Sequence, residues 1–377
     1  MKKLLTSAAV CGLVFAAAPA HADIDLELGG YFKGYGAFVD QDEPATNNSA
    51  DEANDFDIIR DTELHFTGET TLDNGLVVGA HIEADVDGND TFTVDESYVY
   101  FSGGWGRVNF GAEDGAGYLL QVAAPSADSN IDGIRQYVQP VNYSVLNQAS
   151  TAAPTTFSVN ADGIDYDMDQ SGKNDKLTYL SPIMNGFQAG VSYSPDSDAA
   201  DDLGGVGIDN QENGLGEIYE AAVRYEGMFN NVGVILGAGY AHSDLERDVV
   251  APGSFDDRQA WNVGADFDIG PFGLGVIYTE DNQGRETSTT RDDEETLVIG
   301  VDYTTGPFKL GASYYDQDNT FGIKDEETRR YSGGVTYTYG PGMTFRGSIG
   351  YIEHENAIVA QKDVDATYVT LGTQINF

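Results

Sequence analysis

Leu76-Val77-Val78-Gly79-Ala80-His81-Ile82-Glu83-Ala84-Asp85 is the stretch that decides the fold class. Leu76, Val78, Ala80, Ile82 and Ala84 form one row, and His81, Glu83 and Asp85 share the other. A period of two places successive side chains on opposite faces of a β-strand. The pattern recurs in Trp261, Val263, Ala265, Phe267 and Ile269 against Asn262, Asp266 and Asp268. It returns in Leu297, Ile299, Val301, Tyr303 and in Tyr331, Val335, Tyr337, Tyr339. A soluble sandwich also alternates, but here the polar row is rich in carboxylates and glycine, and aromatics sit near the strand ends. Outward apolar rows rimmed by Tyr, Phe and Trp match a membrane-spanning barrel with aromatic girdles.

The turns on either side of this stretch set the strand number. Tight turns centre on Asp73-Asn74-Gly75, Ser102-Gly103-Gly104, Met184-Asn185-Gly186, Asn230-Asn231, Gly270-Pro271, Gly306-Pro307 and Gly340-Pro341-Gly342. Each is flanked by alternating segments, as a hairpin turn is. Longer stretches rich in Asp, Asn and Ser lie between them. Barrels of this class have short turns on one side of the membrane and long loops on the other. With both ends on the short-turn side, the pattern predicts an all-β, antiparallel transmembrane barrel of sixteen strands. Expected strand centres are Lys33, His65, Val78, Val99, Phe110, Tyr179, Val191, Val223, Leu236, Val263, Val276, Ile299, Ala312, Val335, Ile349 and Leu371. One connection, residues 113–175, is exceptional. It carries no clear barrel strand, although Thr156-Phe157-Ser158-Val159 is β-prone, which leaves eighteen strands as an alternative. A connection this long is functional or disordered. Its patch Tyr118-Leu119-Leu120-Gln121-Val122 argues against disorder, because such a patch needs something to pack on.

Composition and the chain start narrow the setting. Met1-Lys2-Lys3, an apolar run from Leu4 to Ala20 and the small-x-small Ala20-His21-Ala22 predict a signal peptide over residues 1–22, leaving one barrel over residues 23–377. The competing membrane-anchor assignment suits a longer run less rich in Ala. Cys11, the one cysteine, falls inside the segment to be removed, and Val10 before it speaks against lipoprotein processing. Disulfides, thiol catalysis and cysteine zinc sites are thereby excluded from the exported part. The formal charge of −43 argues against nucleic acid as a partner. Disorder, the other meaning of such acidity, is at odds with 22 Tyr, 18 Phe and 2 Trp. No apolar run after the signal peptide is long enough for a transmembrane helix.

Leu64-His65-Phe66-Thr67-Gly68-Glu69-Thr70-Thr71-Leu72-Asp73-Asn74-Gly75-Leu76 resembles the second hairpin of the general bacterial porins, especially the alphaproteobacterial type. Glu96-Ser97-Tyr98-Val99-Tyr100-Phe101-Ser102-Gly103-Gly104-Trp105-Gly106-Arg107-Val108-Asn109-Phe110-Gly111 resembles that family's fourth and fifth strands. Lys176-Leu177-Thr178-Tyr179-Leu180-Ser181-Pro182 and Gly186-Phe187 resemble the chain's re-entry after its third loop. Phe377, after Gln374-Ile375-Asn376, is similar to the terminal signal read by the barrel assembly machinery. The resemblance covers essentially the whole exported chain. It implies a homotrimer in the Gram-negative outer membrane, in contact with lipid and lipopolysaccharide. It also implies a third loop folded into the lumen as a constriction, and residues 113–175 stand where that loop belongs.

A pore's chemistry is its lumen face. Parity puts Lys33 inward between Tyr31 and Tyr35, then Glu63, His65 and Glu69, then His81, Glu83 and Asp85, then Glu96, Tyr98 and Tyr100. Arg107, Lys176, Arg224, Lys309 and Arg346 also fall on that face. The simpler assignment for any one of them is that it solvates the wall. Some family members carry an arginine ladder on the first strands. This chain departs from it, with Glu63 and Tyr98 at comparable positions and only Lys33 as a nearby cation. Carboxylate rings favour cations, so small cations are expected to pass in preference to anions. The third loop adds Glu113, Asp114, Asp128, Asp132 and Arg135 as constriction residues, besides Asp162. Asp165-Tyr166-Asp167-Met168-Asp169 has the oxygen density of a structural calcium site, although a solvated acidic loop explains it as well. His65 and His81 offer a weak metal site or a polar wall pair.

No enzyme signature holds up. His354-Glu355 opens like a zincin helix, but Ile358 stands where the second histidine belongs, and neither a phosphate loop nor a Gly-x-Ser-x-Gly elbow is present. The expected function is passive diffusion of small hydrophilic solutes and ions, with no cofactor. A substrate-specific channel, for example for sugars, is the nearest alternative and would use Tyr31, Tyr35, Tyr98 and Tyr100. An outer-membrane enzyme or a structural barrel follows behind.

Overall fold

The computed structural model describes residues 24–43, 52–86, 92–150, 164–197, 215–246, 256–284, 293–321, 324–355 and 363–377. The expected signal peptide, the β-prone segment at 156–159 and Asp162 lie outside them. The chain begins with β1 (Asp25–Gln41), β2 (Phe56–Thr71), β3 (Val77–Asp85), β4 (Thr93–Gly103) and β5 (Gly106–Ala112). The long connection carries the short helices α1 (Ala116–Leu119), α2 (Ser129–Asp132) and α3 (Tyr143–Ser150). Then follow β6 (Asp175–Leu180), β7 (Phe187–Ser194), β8 (Leu215–Phe229), β9 (Val232–Leu245), β10 (Arg258–Ile269) and β11 (Phe272–Asp281). The barrel is completed by β12 (Glu294–Thr305), β13 (Phe308–Phe321), β14 (Lys324–Gly340), β15 (Met343–Glu355) and β16 (Val364–Asn376). Each strand pairs antiparallel with its sequence neighbours, and β1 pairs with β16, so the sixteen strands close into a barrel. The eighteen-strand alternative is thereby set aside. Closure removes the open edges that hydrocarbon would leave without hydrogen-bond partners.

All seven predicted turns join consecutive strands. Asn230 and Asn231 both hold positive φ, 48° and 67°. That is the backbone a two-residue hairpin needs to follow strand twist, and asparagine tolerates it. The wall is inside-out relative to a soluble protein. Leu26, Ile58, Phe66, Leu236 and Leu371 are exposed, whereas Lys33, Glu63, Lys176, Glu220 and Arg330 are buried. Aromatic pairs mark two belts. Phe187–Tyr225, Phe272–Tyr303 and Phe308–Tyr337 stand at the short-turn end. Tyr193–Tyr219, Trp261–Tyr278 and Tyr314–Tyr331 stand toward the loop end. Six residues separate Phe272 from Tyr278 along β11, about 20 Å of strand, which suits the apolar band of an outer membrane.

Strand length is uneven around the wall. β5, β6 and β7 have 7, 6 and 8 residues, against 17 in β1 and β14. The long connection therefore leaves β5 and rejoins β6 at mid-height, already inside the barrel. Its apolar residues find their partners there. Ile131, Val138, Val141, Tyr143, Leu146, Ile164 and Tyr166 pack with inward side chains Tyr35, Ile277, Val298, Tyr315, Ile352 and Tyr368 in one core. Leu120 and Val122 of the patch noted in the sequence are buried as well, while Leu119 is partly exposed.

Candidate pore constriction

The infolded segment is layered across the lumen. Residues 120–127 lie against β9 to β13, in a groove made by Gly237, Gly264, Gly275, Gly300 and Gly311. A Cβ added at Gly300 would sit 2.0 Å from the Pro125 carbonyl oxygen, so only glycine lets the backbone approach that closely. The second layer is residues 164–169. The Gln121 amide donates to the Tyr166 carbonyl at 2.8 Å, its oxygen accepts from the Met168 N–H at 2.8 Å, and the Ala124 N–H donates to the Tyr166 hydroxyl at 3.1 Å. The third layer holds Ile134 and Arg135, bound to the second by Tyr166 N–H to Ile134 carbonyl at 3.0 Å.

Beyond this third layer, between it and β1 to β4, is an open cleft of about 260 Å³. Its acidic lining is Asp61, Glu63, Glu83, Asp85, Asp95, Glu96 and Asp114. Its cations are Arg135 and Lys173, and Tyr31 and Tyr137 complete it. Arg135 is committed to its own loop. It makes a fork with Asp114 at 2.7 and 3.0 Å, donates from Nε to Asp167 at 2.7 Å, also reaches Asp169, and lies over the Tyr118 ring. Lys173 pairs with Asp95 and stands 3.8 Å from Glu96. Lys33 donates to Asp61 at 2.7 Å and is sandwiched between the Tyr31 and Tyr137 rings. Each cation thus has a carboxylate partner, and carboxylates outnumber cations along the cleft.

The loop acids are tuned by burial. Asp114 is pushed up to about 6 by desolvation, which outweighs Arg135 beside it. Desolvation likewise raises Asp167 to about 7, with Asp169 adding repulsion. Glu113, buried and held by the Asn109 amide at 2.7 Å, is raised to about 7, again by desolvation.

The structure sorts the residues singled out in the sequence into three groups. Glu63, Glu83, Asp85, Asp114 and Arg135 line the cleft. His65, His81 and Tyr98 continue the same wall in a row of rings from Tyr31 to Tyr100, with neighbouring centroids 5.4–6.4 Å apart. Asp128, Asp132 and Arg346 instead anchor the loop. Asp128 accepts from the Tyr35 hydroxyl at 2.9 Å and from Arg346 at 2.6 Å. Asp132 lies under Arg330, both essentially inaccessible, with the guanidinium Nε 3.8 Å away. The calcium expectation at Asp165, Asp167 and Asp169 meets a different arrangement. Asp167 and Asp169 turn to Arg135, and Asp165 accepts from the Gln136 N–H. One guanidinium already supplies positive charge to two of the three carboxylates.

Asp61, Asp95, Lys173 and Arg330 were not singled out in the sequence. Asp61 shares the parity of Glu63 and was legible. Asp95 was not. The pairing of β3 with β4 shifts between Glu83 and Ala84, and this bulge breaks the alternation.

Residues 6–357 match the model of the Gram-negative porins. The chain belongs to the Gram-negative porin family. It is an outer-membrane β-barrel protein by family and by fold. The trimer form of the outer membrane protein OmpT of Vibrio cholerae is similar over 94% of this chain and 99% of its own, with 16% identity and a TM-score of 0.62. A mutant of Rhodopseudomonas blastica porin is similar over 94% of this chain and 100% of its own, with 17% identity and a TM-score of 0.56. At these identities the likeness is one of fold. Among curated proteins, an uncharacterized protein of Rickettsia conorii is 23% identical over 214 residues, 52% of this chain and 49% of that protein. One from Rickettsia typhi is 24% identical over 216 residues, 52% and 48%. The match thus spans about half the length of these curated relatives.

Proposed function

We propose that this porin is a passive diffusion channel for small hydrophilic solutes and ions, with a preference for cations and no catalytic role. The observation that carries the preference is the cleft itself, where seven carboxylates face Arg135 and Lys173. A low-dielectric wall lined with one sign of charge concentrates counter-ions and repels co-ions. The first strands, where some members of the family carry an arginine ladder, here present Asp61, Glu63, Glu83 and Asp85. Reversal potentials across a KCl gradient in planar bilayers test this. Cation selectivity is expected, and Glu63→Lys combined with Glu83→Lys is expected to move the potential toward anions. An anion-selective wild type refutes the preference. We further infer a homotrimer, supported by the trimer form recorded for the Vibrio cholerae protein. Lipid, lipopolysaccharide and the barrel assembly machinery are the partners its family implies.

A second possibility, a sugar-specific channel, is favoured by the row of rings from Tyr31 to Tyr100 across β1 to β4. Liposome swelling separates the two. Size-limited permeation of graded sugars supports the diffusion pore, and saturable uptake of one sugar supports the specific channel.

A further inference from the structure

We propose that His65, His81 and Glu83 form a binding site on the lumen wall for a late first-row divalent cation of the zinc, copper or nickel class. In the pairing of β2 with β3, His65 stands opposite Glu83 and Thr67 opposite His81. The two imidazoles are thus diagonal neighbours on the lumen face, with ring centroids 5.8 Å apart and planes at 82°. His81 Nε2 lies 2.8 Å and His65 Nδ1 3.6 Å from the same Glu83 Oε1. The three donor atoms all lie within 4.8 Å of one another. Two imidazole nitrogens and one carboxylate oxygen suit zinc, copper and nickel, whereas magnesium and calcium prefer oxygen alone.

The other nitrogen of His81 supports the assignment. His81 Nδ1 is 2.7 Å from the Thr67 hydroxyl, within hydrogen-bond distance, whereas His65 Nε2 stands 3.6 Å from Glu63 Oε1, a charge contact rather than a hydrogen bond. Metal-binding imidazoles place their second nitrogen on an outer oxygen as His81 does, which fixes the tautomer and aims the free lone pair at the ion. When Nδ1 of His81 donates to Thr67, its Nε2 lone pair faces the Glu83 oxygen at 2.8 Å. A positive charge between the two relieves that opposition. All three side chains are partly open to the lumen, so an ion can reach them through the acidic cleft and water can complete its coordination.

This site does not depend on the diffusion function, so binding and current are measured separately. Folded protein in detergent is titrated with ZnCl2 by calorimetry, alongside His81→Gln, His65→Gln and Glu63→Gln. His242, Asp244 and Asp257 form another cluster of potential ligands, so the readout is the difference between wild type and variants. The expected result is one Zn2+ fewer in His81→Gln and in His65→Gln, and affinity about tenfold lower in Glu63→Gln through loss of the outer carboxylate's negative charge. In bilayers, Zn2+ is expected to reduce the current of the wild type but not of His81→Gln, and Mg2+ at equal concentration to leave it unchanged. Equal Zn2+ stoichiometry and affinity in wild type and both histidine variants overturn the proposal. Cooperative heat-induced unfolding of either histidine variant in detergent shows that the barrel has formed.

Discussion

Gly300→Val tests the layered constriction most directly. The new Cβ would stand 2.0 Å from the Pro125 carbonyl oxygen, 2.9 Å from its carbon and 3.0 Å from its nitrogen. Side-chain carbons keep more than 3.0 Å from such atoms, so the backbone at Pro125 must retreat by about 1 Å, at an overpacking cost of about 1–3 kcal/mol. The wall behind Gly300 is a closed hydrogen-bonded sheet, and the space in front is filled. Residues 164–169 and then Ile134 and Arg135 are packed and hydrogen-bonded in series up to the cleft. Close-packed layers transmit displacement rather than absorb it. For an opening of about 260 Å³, a 1 Å advance of one wall removes roughly a sixth of its width. The expected outcome is lower single-channel conductance in KCl and slower liposome swelling, most marked for the largest sugars that pass. Gly340→Ala is the control, because a Cβ there meets nothing within 4 Å. Conductance of Gly300→Val equal to that of wild type and Gly340→Ala would refute the series of layers. Higher conductance would show that the loop peels inward and away instead.

Further outcomes concern charge. Glu113, Asp114 and Asp167 hold their protons up to about 7, 6 and 7 because they are buried, above an ordinary carboxylate near 4. As pH falls from 8 to 5 the lumen loses negative charge, so the cation-over-anion permeability ratio should decline, read from reversal potentials at each pH. Since the folded state binds these protons more tightly than the unfolded chain, the same groups weaken loop docking as pH rises from about 4 to about 7. Protease nicking of the loop should therefore be slower at pH 5 than at pH 8, after normalising the enzyme's own activity on an unfolded substrate. Arg330→Met leaves the buried Asp132 carboxyl without its cation under the loop, at an expected cost of about 3–5 kcal/mol. Arg330→Met with Asp132→Leu should recover most of it, as followed by heat-induced unfolding of the barrel in detergent.

The barrel was legible because its signals are local. Each of the sixteen expected centres lies inside its strand, and each predicted turn is a turn. Alternation needs only neighbouring residues, and so do Asn-Gly and Gly-Pro turns. What the loop does in the lumen was less legible, because it depends on contacts between distant parts of the chain. Asp128 and Asp132 are four residues apart and the same residue type, yet one meets Tyr35 and Arg346 and the other meets Arg330. Nothing in their own neighbourhood distinguishes them. The glycines on β9 to β13 were visible as part of the polar row, but a glycine does not announce what passes over it. Asp165, Asp167 and Asp169 had the composition of a calcium site, and the single guanidinium of Arg135 accounts for two of them instead.

The anchor at Asp128 also bears on the order of assembly. Tyr35 belongs to the first strand, Arg346 to the fifteenth, and the Asn130 amide beside Asp128 donates to both the Tyr35 hydroxyl and Gln374 on the sixteenth. The docking point straddles the seam where the ends of the sheet meet. It does not exist while the sheet is an open ribbon, however complete each hairpin is. Its full set of partners is present only when the circle is closed, and there the loop clasps the two strands whose parting would reopen the circle. The segment that narrows the passage is thus also a catch across the seam of the finished ring.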